Sequence, residues 1–195
     1  MSSASVIAME RETSQGSSLP RARFERIFAE QHAVVWRMLR RFGLPSEKAA
    51  QGTQWVFAHS SDELAGCAPG RERALLLAMG LRLLEAHRQA DARASRVQRK
   101  SEMDVPHAEP GHSGVVHAAP LRSTSAPSEL MDRVLLRMTR ASATLFFLFE
   151  LEGLSLAEAA RVMAIEEASA AALLMQARQE FRAIATELSE AMRRE

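Results

Sequence analysis

The sequence predicts an all-α protein: two small helical domains joined by a flexible linker. Three observations predict this. The 195 residues are 47% hydrophobic but hold no Tyr, 8 Phe and 2 Trp. Ala, Leu, Met, Arg and Glu dominate, a mix that favours helices over strands. Apolar residues recur at three- and four-residue steps in two separate blocks, the signature of helices with one buried face. Between the blocks, Ser101–Pro127 carries four of the seven prolines together with Ser, Gly and three His; such a segment buries too little to fold.

The organisation follows: a disordered tail at 1–19, a first helical domain at 20–100, a linker at 101–127, and a second helical domain at 128–195. The tail is Ser-rich, with no apolar period and no run of the kind a secretory signal needs. In the first domain Phe24, Ile27, Phe28, Val34, Val35, Met38, Leu39 and Phe42 hold one helical period. Pro20 suits its start and Gly43 its C-terminal cap. Pro45 opens a second helix, Ser46 to about His59. After a loop at Gly66–Gly70, a third is expected from about Arg71 to Arg93, with Leu75, Leu76, Met79, Leu83 and Leu84 inward and His87 at the edge of that face.

Four helices fit the second domain: Ser128–Arg140, Ala141–Leu151, Leu156–Met163 and Glu167–Met192. Gly153 ends the second of them. Ser155 with Glu158 three residues on is a capping box for the third. Helix, short turn and helix over 155–190 match a helix-turn-helix.

Charge separates the halves. Residues 20–100 hold 15 Lys/Arg and 8 Asp/Glu, a net of +7; residues 128–195 hold 8 and 11, a net of −3. The first half is therefore suited to nucleic acid and the second is a poor match for a phosphate backbone. Cys67 is the single cysteine, so no intrachain disulfide can form, which fits a reducing compartment. The longest apolar runs, Ala74–Met79 and Ala143–Phe149, are too short to span a bilayer. The expectation is a soluble cytoplasmic protein with no membrane partner.

Catalytic chemistry finds no support. There is no glycine-rich phosphate loop, Walker lysine motif or paired catalytic carboxylate motif. His107, His112 and His117 recur every five residues, but no Cys or carboxylate cluster completes a metal site, and incidental His in a solvated linker is the plainer reading. No enzyme, metal or cofactor is expected.

Three stretches carry a resemblance. FERIFAEQHAVVWRMLRRFGLPSEKAAQGTQWVFAHS (24–60) and ALLLAMGLRLLEAHRQADAR (74–93) resemble the core-binding domain of extracytoplasmic-function (ECF) sigma factors. ATLFFLFELEGLSLAEAARVMAIEEASAAALLMQARQEFR (143–182) resembles that family's promoter-reading domain, with FELEGLSLAEAARVMAI the most specific piece. The resemblance covers roughly three-quarters of the chain, in the family's order. It implies a bacterial transcription initiation subunit. Its partners would be RNA polymerase core, promoter DNA and an inhibitory anti-sigma factor.

The site residues that the resemblance implies depart from the family pattern. Where the family usually reads DLVQEVF on its polymerase-docking helix, this chain has QGTQWVF at 51–57. The polymerase-binding candidates are Gln51, Gln54, Trp55 and Phe57, with the acidic positions replaced by Gln51 and Trp55. Losing two carboxylates from a charge-matched interface weakens it. Gly52 costs the helix about 1 kcal/mol relative to Ala. Trp55 either packs on its own domain or anchors a different partner. On the third helix Arg82, His87, Arg88 and Arg93 are the DNA-binding candidates, and the basic tail continues with Arg96, Arg99 and Lys100. It could follow a phosphate backbone or be a solvated helix end where the dipole favours cations.

On the last helix the family reads in the sense of GTVKSRLHRAR, while this chain reads ASAAALLMQAR at 168–178. The DNA-binding candidates there are Ser169, Ala171, Leu173, Gln176 and Arg178. Position 171 would be Lys, 173 Arg and 176 often Arg; Arg178 alone keeps its charge. Ala170, Leu174, Ala177, Phe181 and Ile184 form the inward face, leaving Ser169, Ala172, Leu173, Met175 and Gln176 outward. Glu166 and Glu167 suit the helix dipole but repel a docked phosphate. An outward Leu173–Met175 pair is either a small patch for a protein partner or ordinary scattered exposure.

Two functions follow. One is an ECF sigma factor directing polymerase to promoters. The alternative is a degenerate sigma-like regulator working through protein contacts, with little or no promoter reading. A helix-turn-helix repressor of another kind leaves 24–93 unexplained.

Overall fold

The computed structural model describes residues 19–103 and 126–194, with side chains over 19–96 and 129–194. The tail and the linker with its three histidines fall almost entirely outside the described residues. All regular structure among those residues is helical.

The first half comprises α1 (Arg21–Arg41), α2 (Ser46–His59), the short α3 (Ser61–Gly66) and α4 (Glu72–Met103). Helix α1 buries Ile27, Val34, Val35, Met38 and Leu39, the face its periodicity predicts. It ends where Gly43 takes a left-handed φ of 98°, and the Leu44 N–H then donates to the Leu39 carbonyl. Gly43 is suited to that turn because it has no Cβ to clash. Helices α1 and α2 begin where expected. The sequence reading missed α3, a single turn that Ser60 separates from α2 by donating its hydroxyl to the Val56 carbonyl at 2.7 Å.

Helix α4 runs to Met103, ten residues past the expected Arg93. Residues 91–96 are all exposed, so this stretch has no apolar period to detect. Good helix formers without Gly or Pro extend a nucleated helix on their own.

The second half comprises α5 (Ala126–Arg137), α6 (Arg140–Phe146), a π-helical turn at Phe147–Leu151, α7 (Leu156–Met163) and α8 (Glu167–Arg194). Gly153, at φ 68°, reverses the chain after the π turn. The capping box forms as predicted. Ser155 Oγ accepts from the Glu158 N–H at 3.3 Å, and Glu158 Oε2 accepts from the Ser155 N–H at 3.0 Å. Ala164 closes α7 in the left-handed conformation, φ 54°, and the Ile165 N–H donates back to the Ala160 carbonyl. Helices α7 and α8 then cross over the small buried residues Ala159, Ala160 and Ala170, completing the helix-turn-helix.

The halves share one core. Met38, Leu39, Leu76 and Leu77 of the first pack in a single cluster with Leu145, Phe147, Leu148 and Leu174 of the second. Phe42 meets Phe147 edge-on at 5.6 Å. Ion pairs Arg41–Asp132 (3.0 Å), Arg73–Glu152 and Arg140–Glu85 flank that junction. A second cluster, centred on Val134, Phe146, Ala177 and Leu188, joins α5, α6 and α8. Phe146 and Phe181 stack there at 4.5 Å.

Candidate functional site

The polymerase-side candidates lie on α2. Gln51, Gln54 and Trp55 are exposed and share one helical face. Trp55 is 39% exposed. Its ring stacks on His59 at 4.2 Å, whose Nδ1 donates to the Trp55 carbonyl at 2.9 Å. With Gln51, Gly52, Leu83 and His87 it borders a groove of about 290 Å³ between α2 and α4. Phe57 is not on this face. It is buried beneath Phe24 and Phe28, with ring centroids at 6.2 and 4.9 Å, and serves as core. The cost ascribed to Gly52 also has a structural reason, since a Cβ there would approach the Leu83 and Leu39 methyls to 2.9 and 3.0 Å. The glycine allows α2 to sit close against both neighbours.

The α4 candidates diverge. His87 faces α2, where Lys48 Nζ donates to its Nε2 at 3.4 Å. Arg82 and Arg88 face the second half instead, beside α6 and α7. Arg88 donates to Glu85 Oε2 at 3.4 Å. Arg93 lies farther along, in the exposed stretch of α4. These four do not form one surface.

On α8, Ser169 and Ala171 are exposed, as are Ala172 and Met175. Leu173 corrects the sequence expectation: it is half-buried and packs on the shared core, so the outward Leu173–Met175 pair does not exist. Val162 and Met163 of α7 are partly buried against the same core. Gln176 donates to Glu180 Oε1 at 2.8 Å. Arg178 donates to Glu150 Oε1 at 2.7 Å, and its guanidinium lies 5.7 Å from the Phe149 ring. Glu166 and Glu167 are exposed at the start of the helix. Of the five α8 candidates, two are thus held by carboxylates of the chain itself and one is core.

Glu150 and Glu180 were not recognised as relevant from the sequence. Gln176–Glu180 is legible as an i, i+4 pair; Arg178–Glu150, 28 residues apart, is not. Glu180 does more. Its carboxylate accepts from the Thr139 N–H at 2.9 Å and from the Thr139 and Ser142 hydroxyls, capping the N-terminus of α6 from a different helix. Burial would raise its pKa. The Thr139 N–H, Gln176, Ser142 and the Thr139 hydroxyl outweigh that and hold it below the usual glutamate value.

Among the described residues no group of three or more His, Cys, Asp or Glu is placed to hold a metal ion, and no helix is long and apolar enough to cross a membrane.

No protein-family model matches the chain, and no curated protein matches it. Solved structures do. CnrH, in complex with the cytosolic domain of CnrY, is similar with a TM-score of 0.59 and 19% identity, over 89% of this chain and 94% of that one. The sigma factor RpoE of Bartonella quintana, in complex with the anti-sigma factor NepR, is similar with a TM-score of 0.59 and 14% identity, over 84% of this chain and 96% of that one. The likeness spans both helical halves, and the chain shares its fold with these two proteins.

Proposed function

We propose that this chain is a sigma-type transcription initiation subunit of the ECF class that joins RNA polymerase core in the cytoplasm and directs it to promoters. The observation that carries this reading is the fold as a whole: a four-helix first half and a terminal helix-turn-helix, superimposable over most of its length on the sigma factor RpoE. The polymerase-binding face would be α2 around Gln51, Gln54 and Trp55. Trp55 would supply apolar contact where carboxylates are missing. Since the RpoE structure includes the anti-sigma factor NepR, an anti-sigma factor is the expected inhibitor here.

A second reading is favoured by one specific observation. The outward face of α8 carries no Lys or Arg before Arg178, which is itself tied to Glu150. Phosphate contacts supply much of a DNA reader's affinity, and base readout relies on long donors. On this reading the chain is a degenerate sigma-like regulator that engages polymerase or another protein while reading little promoter sequence.

Reconstitution with core polymerase separates the two. Copurification with core together with transcription from a defined promoter supports the active factor. Copurification without promoter-specific transcripts supports the regulator. Absence of any complex with core polymerase overturns the active factor and restricts the regulator to partners other than polymerase.

A further inference from the structure

We propose that the cleft between α4 and the α6–α7 pair binds a small phosphorylated organic anion of nucleotide size. The cleft measures about 580 Å³, within the range of small-molecule sites. Its rim brings together four guanidinium groups, Arg82 and Arg88 from the first half and Arg140 and Arg161 from the second.

One carboxylate on the rim, Glu85, serves two of them: Arg140 donates to its Oε2, and Arg88 donates to the same oxygen at 3.4 Å. Arg82 makes only a weak contact with Met79 Sδ at 3.4 Å, and Arg161 donates to the Ala157 carbonyl at 3.2 Å. Neither forms an ion pair within 4 Å among the described residues, and Glu158 acts on Arg161 only at longer range. In addition, Arg88 Nε is buried without a hydrogen-bond partner.

Four like charges served by one carboxylate repel one another, and a buried donor without an acceptor is costly. An anion with several oxygens answers both. Arginine suits phosphate because its planar fork donates two parallel hydrogen bonds. Apart from Thr144 the remaining wall is apolar, with Leu81 and Val162 half-buried on the shared core. It would cover the organic body of the ligand. A concave site between two helical halves does not admit a duplex. Because both halves supply arginines, an occupant would hold them together and stabilise the folded chain by linkage. This inference does not depend on the sigma reading.

Titration calorimetry and thermal melting of the full chain test it, with ADP, inorganic pyrophosphate and adenosine as probes. ADP should bind, at least tenfold more tightly than pyrophosphate and adenosine, and raise the melting temperature. Arg82→Gln with Arg161→Gln should weaken ADP at least tenfold without lowering the ligand-free melting temperature, because neither side chain holds an ion pair and two mutually repelling charges are removed. No ADP binding at millimolar concentration overturns the proposal. So does equal binding of ADP by the double variant, or adenosine or pyrophosphate bound as tightly as ADP.

Discussion

Arg178 on α8 donates its Nε to Glu150 Oε1 on the π turn at 2.7 Å, with its guanidinium above Phe149. The first cation along α8 is thereby paired with a carboxylate of the chain itself. To reach a phosphate it must give up a charge-assisted hydrogen bond. Glu150→Gln should free it. We expect the variant to bind DNA more tightly than the parent, with a log–log salt slope steeper by up to about 0.9, one phosphate contact. Loss of this exposed pair should cost about 0.2–1 kcal/mol of stability. Fluorescence anisotropy across a salt series checks it; an unchanged slope shows that Arg178 was already available.

Glu180 caps α6 through Thr139 and Ser142, and its pKa is depressed in the folded state. A depressed carboxylate contributes stability that is present above its unfolded pKa, near 4.3. That contribution is lost as pH falls through the lower folded value. Glu180→Gln should therefore be less stable than the parent at neutral pH, and the difference should shrink as pH drops below about 4. Denaturant melts across this range measure it. A gap independent of pH would mean that the carboxylate charge contributes nothing.

Arg73 and Glu152 join the halves. The Glu152 side chain is 3% exposed, so removing its partner strands a buried carboxylate. Arg73→Met should destabilise the chain by about 2–4 kcal/mol. It should also uncouple the halves, with calorimetry showing two transitions or a broadened one. A single sharp transition with unchanged midpoint would show that the shared core alone couples them.

Ala164 adopts φ 54° at the end of α7. A Cβ in the left-handed region costs roughly 1–2 kcal/mol. Ala164→Gly relieves that, less the added freedom of the unfolded chain. The net expectation is a gain of about 0.5–1 kcal/mol, or about 1–4 °C in melting temperature. A fall in melting temperature would place the turn's stability in contacts of the Ala164 methyl.

Elements with a strong local signal were legible in the sequence. Helix α7 runs over Leu156–Met163, and the Ser155–Glu158 box forms with both hydrogen bonds. Helices α2 and α8 also begin at the expected residues. What escaped lacks such a signal. The part of the α4 extension whose side chains are described is exposed throughout. The exposure of Leu173 depends on how α7 and α8 cross. The role of Glu150 depends on a tertiary contact. Gly52 illustrates the same limit: propensity registers a weak point in a helix, whereas packing shows a close approach of three helices. The candidate list could not tell free side chains from engaged ones. Phe57, Gln176 and Arg178 all proved to be occupied within the chain.

On the proposed reading, α8 keeps the shape of a promoter-reading helix without the charge. The family pattern would place Arg at 173, but Leu173 packs on the core. Ala171 and Met175 are exposed one turn apart, so Ala171→Lys with Met175→Arg restores charge without disturbing the fold. DNA affinity of parent and double variant, measured over a salt series, is the direct test. We predict a gain of about tenfold or more near 0.1 M salt and a log–log slope steeper by up to about 1.8, two added phosphate contacts. Equal affinity and equal slope in a variant that melts like the parent would contradict the account.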